Sequence, residues 1–294
     1  LITQEFLNRL KASGLQPAFQ ISFDGVGFHD WMRGVPGAEK AALDAFRLLK
    51  DNGFSASSAM CLCRENLSCM RETVKTLASV GCTSLKFQRT MPQGEWKNEP
   101  EHFLSYDETL NAYLDYLPLY KEDGCPMDIQ MEGFFLFRKE YGWSIPCRRG
   151  AKNEKALGIL PPCGIIHSSV YIGPNGAVVP CMSMCGSPVE KLFPNLSNLS
   201  LSEILTDSSY TELTGKRAAY VLNHTEECVT CNRRLDCCSG CRAFATGDDT
   251  EDYFAPDLIT CKILKEGWDN RAEKLANELF PEFMQKGSPE QSGC

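Results

Sequence analysis

The chain has 294 residues, room for one large domain or two ordinary ones, and its 43% apolar and 23% charged residues exclude a disordered or collagen-like chain. Its 30 basic and 38 acidic residues leave a formal net charge of -8, which points to no nucleic-acid partner. No secretory signal and no long apolar run is present, so neither export nor a membrane span is indicated and a cytoplasmic location is expected.

The first 135 residues predict alternating helices and strands. A helix over 3–13 carries Phe6, Leu7 and Leu10 and stops at Gly14. Ala18–Phe23 alternates as a strand does. A second helix, 38–51, places Ala42, Phe46 and Leu49 on one face and precedes the strand-like run Phe54–Cys61. A third, 66–80, carries Leu67, Met70, Val74, Leu77 and Val80, and Ser84–Gln88 follows as a short strand. Ser105 and Glu108 form a capping box before Leu110, Tyr113, Leu114 and Leu117, and Asp128–Phe134 is the fourth strand.

Such alternation predicts the α/β class, a parallel sheet with helical crossovers. Three or four units do not close an eight-stranded barrel. They fit an open sheet or the last part of a larger one. Residues 139–162 are irregular and serve as a linker between the 1–138 region and a cysteine-rich region over 163–286. Within the latter, Pro174-Asn175-Gly176 predicts a hairpin with both Asn175 and Gly176 at positive φ. Ser200 and Glu203 cap a short helix. One long final helix carries Leu264, Trp268, Ala272, Leu275 and Leu279, and the tail 287–294 reads as disordered. The chain opens on Leu1 inside a helical pattern, which reads as a fragment or a processed start.

Sixteen cysteines are too many for an ordinary cytosolic enzyme, and nine of them fall between Cys163 and Cys261. Cys228 and Cys231 make a CxxC step, followed after five residues by Cys237 and after three more by Cys241. Two residues between thiolates let both sulfurs face one metal, with backbone amides around them. Cys163 is followed by twelve residues, Gly176, four residues and Cys181, so a thiol stands at either end of the hairpin. Cys261 stands alone downstream. A structural zinc protein or a disulfide scaffold would be the plainer reading.

These seven cysteines resemble, spacing by spacing, the signature of the SPASM domain, the C-terminal extension of many radical S-adenosylmethionine enzymes. Residues 20–34, QISFDGVGFHDWMRG, and 90–96, TMPQGEW, resemble the late strands and loops of that family's partial barrel. The resemblance begins after the third barrel strand, and the sequence contains no CxxxCxxC. Cys61, Cys63 and Cys69, spaced C-x-C-x5-C, do not replace it and read as core thiols.

The resemblance implies two auxiliary [4Fe-4S] clusters with interleaved ligands: Cys163, Cys181 and Cys241 for the first, Cys228, Cys231, Cys237 and Cys261 for the second. Anaerobic sulfatase-maturating enzymes supply a fourth thiolate to the first cluster six residues before the hairpin cysteine, where this chain has Leu157. Cys147 or Cys185 could take that place, or one iron could stay open. Met182 stands where those enzymes have an aspartate base, which argues against formylglycine formation. Ser22 and Asp24 correspond to the cofactor-contacting end of a barrel strand. The same residues also read as strand-end caps, with Asp24, His29 and Arg33 bracing the loop.

The intact protein implied by the resemblance carries S-adenosylmethionine on a third [4Fe-4S] cluster, whose deoxyadenosyl radical takes hydrogen from a peptide or protein, with flavodoxin or ferredoxin as reductant. This chain alone is expected not to cleave S-adenosylmethionine. The rival expectation is a non-catalytic module that holds clusters and peptide.

Overall fold

The computed structural model describes residues 2–90, 96, 98–246 and 250–283. Positions 91–95 of the TMPQGEW segment and the 287–294 tail lie outside the described residues. The described residues divide into two units, one of residues up to Pro146 together with Arg271–Phe283, the other Cys147–Asn270.

In the first unit six strands form one sheet in chain order: β1 Phe19–Ser22, β2 Ala56–Leu62, β3 Ser84–Arg89, β4 Asp128–Met131, β5 Phe135–Arg138 and β6 Gly142–Ser144. The first four are parallel, joined by helices His29–Arg33 and Ala38–Asp51, then Met70–Ser79, then Tyr106–Glu122. The last three form where the apolar spacing predicts them, whereas His29–Arg33 is a helix within a segment expected as a loop. Phe46, Leu49, Val74, Leu77 and Leu117 are completely buried, and Ser105 and Glu108 make both bonds of the capping box. The period-2 pattern of the strands separates two faces. Met60, Leu62, Leu85, Phe87, Ile129 and Met131 are buried on one. The other carries a row in register across the sheet: Ser22, Ala59, Lys86, Gln130, Leu136, Ser144.

The Asp128–Phe134 run, expected as one strand, ends at Met131. A turn through Gly133, closed by Phe134 N–H donating to the Met131 carbonyl at 2.8 Å, sends β5 back antiparallel. Part of the 139–162 region is thus ordered as β6. Phe137 of β5 packs 4.7 Å from Phe280 and 5.5 Å from Tyr120. The long final helix is two, Leu258–Lys265 and Trp268–Leu279, broken at Gly267, whose φ is 73°.

The second unit has little regular structure: β7 Tyr171–Ile172 and β8 Val178–Val179 form a hairpin, and the rest is short helices. Ser200 and Glu203 cap Leu201–Thr206 as expected. The hairpin turn differs from expectation. Gly176 N–H donates to the Gly173 carbonyl at 2.9 Å and Gly173 N–H to the Ala177 carbonyl at 2.8 Å. Among Pro174, Asn175 and Gly176 only Gly176, at 82°, has positive φ. This is a three-residue loop, in which one left-handed residue suffices, rather than a two-residue turn needing two.

Candidate metal centre

The cysteines from 228 to 241 are placed by tight local turns. Cys228 lies in the one-turn helix Glu226–Val229, and Cys237 ends Arg234–Cys237. Between Cys237 and Cys241 three consecutive residues adopt positive φ: Cys238 at 47°, Ser239 at 75° and Gly240 at 65°. For two non-glycine residues this costs about 1–2 kcal/mol each. The turn reverses the chain within three residues and sends Cys237 and Cys241 to different surroundings. Gly240 is needed for space as well, because a Cβ there would lie 2.4 Å from Asp257 Oδ2.

Asp257 joins the two thiol sets. One oxygen, Oδ2, accepts the Cys241 amide at 2.7 Å and the Thr260 hydroxyl at 2.6 Å. The other accepts the amides of Ile259 and Thr260, capping the helix that carries Cys261. Asp257 is 2% exposed. Residue spacing gives no sign of it, since only the folded turn brings residue 257 to residue 241. Arg242, 1% exposed, is a second such residue. Its guanidinium donates to the carbonyls of Ala255 at 2.8 Å, Tyr253 at 3.3 Å and Ser239. A buried positive charge bonded to carbonyls complements an anionic group nearby.

The seven motif thiols fall into two neighbourhoods. Cys163, Cys181 and Cys241 all pack against the apolar cluster that includes Val178, Val179, Ala243 and Tyr253. Cys241 is pushed up to about 12, by burial first, with Asp257 and then the Cys163 thiol adding to it. In the other neighbourhood, burial first raises Cys261, and Cys228, Asp257 and Cys231 act on it too. Burial and Asp257 raise Cys237 strongly, with Cys261 contributing. A buried thiolate is unfavourable until a cation balances it.

Backbone amides already face several of these sulfurs. Arg233 N–H donates to Cys231 Sγ at 3.4 Å. The backbone amide of Ser239 favours the charged form of Cys237, and those of Phe244 and Ala243 the charged form of Cys241. Such N–H···S bonds spread charge from thiolates that hold a cluster. Among the described residues no three cysteine sulfurs lie within 4.8 Å of one another. A single tetrahedral zinc with 2.3 Å bonds would draw its ligands to about 3.8 Å. Several thiol donors with a backbone amide aimed at one of them fit an iron–sulfur group.

The remaining predicted residues are dispersed. Cys147 is buried and raised to about 12, by burial and then by Asp269. Cys185 packs on the same apolar cluster as Cys163, Cys181 and Cys241, but its sulfur faces the hairpin turn, 2.7 Å from where a Cβ on Gly173 would stand, beside Glu190. Leu157 is fully buried among Ala218, Leu222 and Cys238. Cys238 is buried, its S–H donating to the Leu235 carbonyl at 3.1 Å.

At the sheet, Asp24 is fully buried. Its Oδ1 accepts the Cys61 amide at 3.0 Å, Oδ2 pairs with Arg33 at 2.7 Å and lies 3.3 Å from His29 Nδ1, and its own amide donates to that nitrogen at 3.0 Å. Asn66, a residue no motif marks, completes the knot, donating to the carbonyls of Asp24 and Cys61 and accepting the Cys63 amide. Asp24 therefore braces the loop. Ser22 is the member of the pair that is exposed, on the polar row of the sheet. Cys63 and Cys69 are buried and Cys61 half-buried, with burial raising Cys61 and Cys63 to about 11.

Residues 163–242 match the family described as SPASM, an iron-sulfur cluster-binding domain. The chain is 27% identical over 259 residues to the AdoMet-dependent heme synthase of Nitratidesulfovibrio vulgaris, covering 83% of this chain and 65% of that protein. It thus spans just under two thirds of that relative's length. Its fold is similar to that of anSMEcpe with bound AdoMet and Cp18Cys peptide, at a TM-score of 0.60 and 17% identity, over 96% of this chain and 74% of the other. Streptococcus suis SuiB bound to its precursor peptide SuiA is similar at a TM-score of 0.57 and 13% identity, over 88% and 56%. No helix among the described residues is long and apolar enough to cross a membrane.

Proposed function

We propose that the chain belongs to the radical S-adenosylmethionine proteins that carry a C-terminal SPASM domain, which the domain match, the relative and the similar folds support, and that it is the cluster-bearing part of an enzyme that modifies a peptide or protein. Cys163, Cys181 and Cys241 hold one auxiliary [4Fe-4S] cluster. Cys228, Cys231, Cys237 and Cys261 hold the other. The observation that carries this is the division of seven thiols into two neighbourhoods, which the Cys237–Cys241 turn separates and Asp257 joins.

When bound, the clusters supply one-electron chemistry. The chain's own residues hold their thiolates, aim amides at the sulfurs and exclude water. The first cluster has three motif thiolates, so its fourth position would be open to water or substrate, or be reached by Cys147 or by Cys185, which packs on the same apolar cluster. Ser22, exposed at the end of β1, is the contact proposed for S-adenosylmethionine. The substrate proposal is supported by the peptide complexes of the similar folds. A second reading, a substrate in heme synthesis, is favoured by the sequence likeness to the heme synthase.

Lacking CxxxCxxC, this chain by itself should not cleave S-adenosylmethionine. The test is anaerobic incubation of the iron-loaded chain with S-adenosylmethionine and dithionite. 5′-Deoxyadenosine at the protein-free blank is expected, and turnover above it overturns the assignment of these cysteines as purely auxiliary. Adding a heme-type tetrapyrrole and following its Soret band separates the substrate readings. A saturable shift supports the second, and an unchanged band supports the peptide.

A further inference from the structure

A buried hydroxyl belongs to the apolar cluster on which the hairpin thiols pack. Tyr253 is 1% exposed, and among the described residues its hydroxyl oxygen has no hydrogen-bond partner. The ring is fixed in place. Phe193 and Phe254 meet it edge-on at 5.5 Å and 5.2 Å, and Arg242 donates to its backbone carbonyl. The thiols of Cys163 and Cys181 lie within electrostatic reach of that hydroxyl. Cys163, Cys181 and Cys241 also pack on the same apolar cluster that contains Tyr253.

A buried donor without an acceptor costs about 1–3 kcal/mol. Phenylalanine would fill the same space without that cost, so the hydroxyl needs a reason that the described residues do not supply. Its ordinary pKa is about 10, which keeps it a donor at neutral pH.

We infer that Tyr253 donates its phenolic hydrogen bond to a sulfur of the cluster held by Cys163, Cys181 and Cys241. The inference rests on the iron–sulfur reading of that site. Tyr253 is a positioning residue here. When the cluster gains one electron its sulfurs become more negative and the hydrogen bond strengthens, so the hydroxyl favours the reduced state and raises the potential.

The test is Tyr253→Phe in the anaerobically reconstituted chain, read by an EPR-monitored redox titration with dithionite as electron donor. Cys163→Ser identifies which signal belongs to the first cluster. The expected result is unchanged iron content and a first-cluster potential lower by roughly tenfold in reduction equilibrium, about 59 mV for one electron, with the second cluster unmoved. In the iron-free chain the variant should unfold no earlier than the wild type, since it loses only an unpartnered hydroxyl. An unmoved first-cluster potential overturns the inference. Loss of one cluster's iron from Tyr253→Phe also overturns it, because the oxygen would then be a ligand and not a donor. Failure of the wild-type chain itself to take up iron fails the iron–sulfur reading instead.

Discussion

In the first unit, strands of up to seven residues lie in register and their apolar face is sealed by helices, so Met60, Leu85, Phe87 and Met131 are fully buried. In the second, the only paired strands among the described residues are two residues long, most helices are one or two turns, and the half-buried residues include seven motif thiols. The sheet unit has enough contiguous apolar surface to order itself. The cysteine unit holds its thiols in strained turns and raises several of their pKa values by burial, an arrangement that is stable once a metal balances them.

The largest expected effect breaks the second unit and spares the first. Cys231→Ser should remove one cluster, halving bound iron, and should loosen the second unit. Iron analysis and limited proteolysis should show cleavage confined to 147–270. Cleavage spread equally over both units would contradict the contrast. Next comes a core change in the first unit. Phe137→Ala removes a ring packed against Phe280 and Tyr120 and should cost about 3–5 kcal/mol by denaturant unfolding, with iron content unchanged.

Asp257→Ala should have a smaller but double effect. It removes a helix cap worth about 1 kcal/mol and the acceptor of the Cys241 amide, so iron should become easier to chelate from the protein. A variant whose chelation rate equals the wild type's would show that Asp257 acts only as a cap. The smallest effect concerns Glu108, whose carboxyl the Arg64 guanidinium and the Ser105 cap hold down at about 2. A depressed carboxylate contributes stability that is fully present above its unfolded value near 4.5, and that contribution is lost as pH falls through about 2. Glu108→Gln should therefore lower the unfolding midpoint slightly at neutral pH and flatten its pH dependence between those two values. A variant whose midpoint still falls as steeply as the wild type's on acidification would assign that slope to other carboxylates.

The two units are legible in the sequence to different degrees and by different signals. Period and capping locate the sheet's helices and strands, because Phe46, Val74 and Leu117 must all be buried on one face. The β4–β5 return is hidden, since Phe134–Phe137 continues an apolar run and only the turn at Gly133 splits it. In the second unit the cysteine spacing alone marks the candidate ligand sets. Asp257, Arg242 and Asn66 are illegible, because each joins segments that are distant in sequence and belongs to no motif. Asp24 fits both a cofactor contact and a brace when only its neighbours in sequence are considered. Its full burial and its ties to Arg33, His29 and Cys61 place it as a brace.

The central claim is that the seven thiols hold two iron–sulfur clusters, and it is tested most directly by anaerobic reconstitution followed by metal and sulfide analysis with Mössbauer spectroscopy. About eight iron and eight sulfide per chain are expected, as two cubane clusters, with cluster loss in steps when Cys241→Ser and Cys261→Ser are introduced separately. A chain that instead takes up zinc, holds no sulfide and shows no visible charge-transfer absorption would contradict it.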